Sequence, residues 1–164
     1  MAVDLNNLID YLKAEVNSPG IESFPDATDD DWLIRLQSSF WDVVLQGAMS
    51  GYTVDDNGVV TPISGTTDLS RDVQQFIVFN AGVDIIRNKI REMGSLFRAV
   101  AGPVEYETQN SAQVMKAILD ELTRKRNIVL ERLSDLGQVG TGYYDMLITR
   151  DDSLSWGDSW WAKY

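Results

Sequence analysis

Apolar residues recur along most of the chain at intervals of three and four, the spacing that gathers side chains on one face of an α-helix. Leu5, Leu8, Ile9, Leu12 and Val16 predict an amphipathic helix over residues 4–16, ended by the breaker Asn17-Ser18-Pro19-Gly20. Trp32, Leu33, Leu36, Phe40, Val43 and Val44 predict a second helix running to about Met49 and closed by Gly51. Thr28 followed by Asp29, Asp30 and Asp31 marks its start: an N-cap, then carboxylates where free N–H groups and the positive helix end favour them.

The period changes over residues 52–62. Tyr52–Asp55 and Val59–Pro62 flank Asp56-Asn57-Gly58, and Asn-Gly takes the positive φ angles of a tight turn, so a two-stranded hairpin is expected. Two strands alone are marginal, so the hairpin must pack on helices or join a further strand, including one from a neighbouring chain.

The longest element is expected from about Leu69 to Ala101, capped at Asp68 or Ser70 and stopped by Gly102-Pro103. Phe76, Phe79, Val83, Ile86, Ile90, Met93, Phe97 and Val100 form a heptad seam, while Ile77, Val78, Ile85 and Leu96 add apolar surface off it that suits another subunit. Gly82 and Gly94 inside this helix suggest close approach of a neighbouring backbone, or a kink. After an extended stretch at Val104–Thr108, Asn110 with Gln113 resembles a capping box opening a helix to Leu136. Met115, Ile118, Leu122, Val129, Leu133 and Leu136 form its face, and Gly137 follows its end. The fold class is therefore mainly α: a bundle of about four helices, two of them long, with one β-hairpin insertion and an extended C-terminal tail. Residues 1–137 form the bundle with its hairpin at 52–62, and residues 138–164 form the tail.

Composition narrows the chemistry. In 164 residues there is no Cys and no His, which removes disulfides, thiolate zinc sites, thiol nucleophiles and the commonest general base. The net charge of −11 argues against a protein that wraps nucleic acid, and no apolar run or N-terminal signal pattern points to a membrane or to export. The excess is uneven, for twelve of the 25 acids but only two of the 14 bases precede Leu69. Clustered acids are the only plentiful catalytic material. Asp29–Asp31, Asp55-Asp56 and Asp151-Asp152 have the oxygen ligands of Mg²⁺ or Ca²⁺, but caps, turns and solvated loops account for them. Asp151-x-Ser153-x-Ser155 has the residues of a metal-dependent adhesion motif, yet that motif ends the first strand of a large doubly wound domain, and nine residues follow it here. Arg124-Lys125-Arg126 spans nearly a full helical turn, so it reads as a solvated or subunit-facing ionic surface rather than a phosphate-binding strip. No catalytic, cofactor or metal site is expected.

The aromatic residues carry the clearest signal of function. Tyr143, Tyr144, Trp156, Trp160, Trp161 and Tyr164 lie in a tail too short to build its own core, and exposed Trp and Tyr are typical anchors at protein interfaces. The tail therefore docks on a partner or folds back over its own helices.

Three stretches carry a resemblance that covers most of the chain. They are FPDATDDDWLIRLQ, the hairpin YTVDDNGVVTP leading to LSRDVQQFIVFNAGVDIIRNKI, and AILDELTRKRNIVLERLSDL before the aromatic tail. In this order they resemble the head-to-tail adaptors (head-completion or connector proteins) of long-tailed bacteriophages, particularly those of actinobacterial phages. The resemblance implies a structural virion protein that is not an enzyme and needs no cofactor. It implies a homo-oligomeric ring, usually of twelve copies, on the portal protein at the head–tail junction, assembled in the host cytoplasm. A stopper or tail-terminator protein would bind the other side, and DNA would pass through the channel without sequence-specific binding. On that reading Tyr143, Tyr144, Trp156, Trp160, Trp161 and Tyr164 grip the portal, and Tyr52, Val54, Asn57, Gly58 and Val60 of the hairpin touch a neighbouring subunit or the next ring. The rival readings are a non-viral helical scaffold or regulator with a partner-binding tail, and a carboxylate-dependent metal enzyme such as a nuclease.

Overall fold

The structure, a computed structural model, describes residues 3–17, 24, 26–45, 52–62, 69–97 and 105–135. Within them the protein is mainly helical with one small antiparallel sheet. Strand β1 (Val3–Asp4) leads through a 3₁₀ turn (Leu5–Leu8) into helix α1 (Ile9–Val16), followed by α2 (Asp29–Leu45), β2 (Tyr52–Val54), β3 (Val59–Pro62), α3 (Arg71–Phe97) and α4 (Glu105–Asp135).

The N-terminal segment is thus not one helix from residue 4. The Asp4 carboxylate accepts hydrogen bonds from the Asn6 backbone N–H (2.9 Å) and from Asn6 Nδ2 (2.7 Å), and such local bonds favour a tight turn over the α-helical ladder. The apolar spacing still serves its purpose, because Leu5, Ile9, Leu12 and Val16 are all buried.

At the start of α2 the sequence signals and the structure agree in detail, and the expected end near Met49 and Gly51 lies outside the described residues. Thr28 Oγ1 accepts from the Asp31 N–H (3.3 Å), and Asp31 Oδ2 accepts from both the Thr28 N–H (2.9 Å) and its hydroxyl (2.7 Å). This reciprocal box satisfies donors that the helix start would otherwise leave open. The Thr28 bonds hold the Asp31 carboxyl below its usual pKa, with a smaller contribution from Arg35. A carboxyl depressed in the fold adds stability above its unfolded pKa, and that stability is lost as pH falls below about 4. Thr28→Ala is expected to cost about 1 kcal/mol. Asp31→Asn should flatten the acid limb of a plot of melting temperature against pH, and an unchanged limb would contradict the box.

The hairpin gains its third strand from its own chain. The sheet order is β1-β3-β2, with Val3 opposite Val60, Asp4 opposite Val59, and Thr53 opposite Thr61. The Leu5 N–H donates to the Gly58 carbonyl (2.9 Å) and Asn6 Nδ2 to the Asn57 carbonyl (2.9 Å), so the N-terminus is tied to the hairpin turn. Asp55 Oδ1 closes the turn from within by accepting the N–H groups of Asn57 (3.0 Å) and Val59 (2.8 Å).

Helix α3 is the axis of the core. Every residue from Phe76 to Val83 is buried, and Ile77, Val78 and Ile85, the apolar surface off the expected seam, lie inside this chain's own core instead of facing another subunit. The reason is that α1, α2 and α4 pack around α3, so its apolar surface is consumed on several sides. Ser70 caps it, its hydroxyl accepting the Val73 N–H (3.3 Å). At Gly82 the approach is by side chains rather than backbone: a Cβ there would sit 3.2 Å from both Leu122 Cδ1 of α4 and Val16 Cγ1 of α1.

Helix α4 starts at Glu105, not at a cap formed by Asn110 and Gln113, and there is no extended segment from Glu105 to Thr108. Pro103 just before the helix and the acids Glu105 and Glu107 in its first turn suit a helix start, which outweighs the capping-box pattern further on. Beyond Ile86 the burial of α3 falls away. Residues 87–92 are half-buried or exposed, as are most of residues 112–121 of α4. The α3–α4 pair continues there as a two-helix arm, sealed by Met93, Met115 and the half-buried Ile90, Ile118 and Leu119.

Candidate interaction surfaces

The six tail aromatics, Tyr143, Tyr144, Trp156, Trp160, Trp161 and Tyr164, lie outside the described residues, as does the Asp151–Ser155 motif. The hairpin residues divide into two groups. Val60 is 1% exposed and belongs to the core, and Gly58, with φ at 82°, is buried so closely that a Cβ would stand 2.5 Å from Leu33 Cδ1. Both serve this chain's interior instead of a partner. Tyr52 and Val54 are half-buried, and Asn57 is exposed at the turn.

The pairing pattern defines the open side of the sheet. The Asp55 N–H donates to the Val59 carbonyl (3.1 Å), so by antiparallel alternation Thr53 points its N–H and C=O toward β3. Val54 then directs its own away from β3, on the side where β2 is the last strand of the sheet. On its other side the hairpin is paired, because β1 covers Val59 and Val60 of the central strand β3, and Pro62 has no N–H to offer.

A second surface lies on α2. Ile34 is 58% exposed and Trp41 43%, and they are the two large apolar residues most open to solvent among the described residues. Seven residues apart, with exposed Ser38 between them, they form a stripe on one side of the helix. Gln37 ties α2 to the hairpin turn on the neighbouring side, its Nε2 donating to the carbonyls of Asp55 (3.1 Å) and Asp56 (3.3 Å). Arg35 lies over the Phe24 ring with its guanidinium carbon 5.6 Å from the centroid. Sequence reading counted neither Ile34 nor Trp41 in the buried face of α2, but it drew nothing from leaving them outside it.

The basic triplet has no common face. Arg124 pairs with Glu121 on the surface (2.8 Å), Lys125 reaches Glu15 of α1 (2.6 Å), and Arg126 is 2% exposed inside the bundle. Arg126 occupies a seam position between Leu122 and Val129, so it is no part of a solvated or subunit-facing ionic surface. Its Nη2 donates to Asn127 Oδ1 (3.4 Å).

The acids have structural duties as well. Asp29 bridges to Lys13 of α1 (2.6 Å), Asp31 completes the cap and Asp55 shapes the turn. Among the described residues no group of three or more acidic, His or Cys side chains is placed to hold a metal ion. An open cleft of about 380 Å³ lies between α1 and the start of α3, lined by Leu8, Tyr11, Arg71, Gln74 and Gln75. Burial raises the Tyr11 hydroxyl above its usual pKa, the nearby Glu15 adds to this, and Tyr11 packs edge-on to Phe79 at 6.0 Å. Gln74 Nε2 is committed to the Leu69 carbonyl (3.0 Å), so the cleft holds no paired acid and base. Among the described residues no helix is long and apolar enough to cross a membrane.

No family model, curated protein or solved structure matches the chain.

Proposed function

We propose that this protein is a head-to-tail adaptor of a long-tailed bacteriophage, a ring-forming structural subunit that joins the portal of the DNA-filled head to the stopper or tail. The observation that carries the reading is the α3–α4 arm: two long helices continue past α1 and α2 with Ile90, Ile118 and Leu119 half-covered, which suits lateral contacts between copies. The resemblance in three sequence stretches supports it too. In this reading the arms pack side by side around the ring, and Tyr143, Tyr144, Trp156, Trp160, Trp161 and Tyr164 anchor the tail on the portal. The outward edge of β2 with Tyr52, Val54 and Asn57 meets a neighbour or the next ring.

The test uses the full chain and portal-bearing heads that lack it. Mass photometry of chain plus portal should show a discrete ring, and a chain that stays apart from portal at every ratio would overturn the adaptor reading. Deleting residues 150–164 should leave the helical circular dichroism intact while abolishing docking. Normal docking of the truncated chain would remove the tail from the interface.

A further inference from the structure

The exposed stripe on α2 is complementary to itself. Taking Ile34 as the reference and 100° per residue, Ser38 lies at about +40° and Trp41 at about −20°, so the three share one side. Arg35 and Asp42 lie together on the flank of that side, at about +100° and +80°. Placing a second α2 antiparallel across a two-fold axis at Ser38 sets Ile34 against the partner's Trp41. The small Ser38 side chains then meet at the axis, where they permit close approach of the helices. A two-fold of this kind keeps flanks matched, so Arg35 comes level with the partner's Asp42 to within one residue, and the reverse pair forms by symmetry.

Neither charge is held in a salt bridge among the described residues, although Arg35 lies near enough to Asp31 to help lower its pKa. Arg35 is half-buried over Phe24 and makes no salt bridge within 4 Å among the described residues, and the half-buried Asp42 has no ion pair or hydrogen bond among them. A parallel two-fold would instead put the two Arg35–Asp42 flanks on opposite sides of the seam, where neither charge could reach its counterpart. We infer that α2 is a self-association surface whose occupant is a second copy of this chain, joined antiparallel through Ile34, Ser38 and Trp41 and locked by two reciprocal Arg35–Asp42 pairs. With only Ile34 and Trp41 as large exposed apolar side chains on each copy, against the ~20–30 residues a side of a standard interface, a weak and concentration-dependent dimer is expected. This inference does not rest on the adaptor reading, and its outcome is independent of portal binding.

Sedimentation velocity of the full chain from low to high micromolar concentration tests it, with no portal present. A monomer–dimer equilibrium is expected, and a monomer throughout overturns the proposal. Asp42→Arg and Arg35→Asp should each shift the midpoint at least tenfold toward monomer, and the double reversal should restore dimer. Two single variants that dimerise like the parent, or a double variant that stays monomeric while retaining the parent's melting temperature, would overturn the antiparallel register. The absence of cysteine provides a direct readout. Ser38→Cys oxidised with diamide should yield a disulfide-linked dimer on non-reducing gels, whereas the exposed control Asp10→Cys on α1 should not. Equal crosslinking at both positions, or none at Ser38→Cys, would count against α2 as the surface.

Discussion

Phe76→Ala is expected to destabilise the protein by about 3–5 kcal/mol, enough to lower the melting temperature by roughly 10 °C or more in a chain of this size. Phe76 is buried on the central helix α3, which packs against α1, α2 and α4, so its loss opens a void that no single helix can close by shifting. Against typical domain stabilities of about 5–15 kcal/mol, the loss removes about a fifth of the folding free energy or more. Ile90→Ala, in the arm where only α4 covers α3 and the side chain is half-buried, should cost below about 2 kcal/mol. Chemical denaturation of the two variants compares them directly. Equal losses would show that the arm is as tightly packed as the four-helix region, contrary to the burial pattern.

Gly58→Val should be the most damaging change in the hairpin, at about 2–4 kcal/mol. Two penalties fall on one residue. A β-branched side chain resists φ near 82°, and its Cβ would sit 2.5 Å from Leu33 Cδ1, which α2 holds in the core. Because the Gly58 carbonyl also accepts the Leu5 N–H, displacement of the turn is transmitted to the N-terminus. Hydrogen exchange at Leu5 should therefore accelerate more than at Ile86, the first reporting the turn and the second the core. Uniform acceleration would mean that the turn and bundle open as one unit. Asn57→Gly, at the exposed neighbouring position, should be mild by comparison.

Much of this architecture can be read from residue spacing, and the failures have physical causes. The cap at Thr28, the turn at Asn57-Gly58 and the start of α3 at Ser70 are governed by neighbours in sequence, so local patterns suffice. The N-terminal strand is different, since nothing in Ala2-Val3-Asp4 announces that Val60 will be its partner. The same holds for Ile77, Val78 and Ile85. Their apolar character was evident, but whether a second chain or α1 and α2 would cover them depends on tertiary packing. Arg126 shows the converse: a charge inside an ionic triplet reads as surface until the helix phase places it between Leu122 and Val129. For the interaction surfaces, sequence composition singled out the C-terminal aromatics, whereas the α2 stripe emerges from exposure. Ile34 and Trp41 are ordinary apolar residues of an amphipathic helix until the fold leaves them uncovered.

The pairing of β1 with β3 also orders events during synthesis. Val3 and Asp4 are made well before their strand partners Val59 and Val60, and the sheet has no complete bundle beneath it until α3 follows. At about 5–20 residues per second, the roughly 90 residues separating β1 from the end of α3 take on the order of 5–20 s. For that interval Leu5, Ile9 and Leu12 emerge without their burial sites. The nascent segment from Leu5 to Leu12 is therefore a natural client for a chaperone at the ribosome.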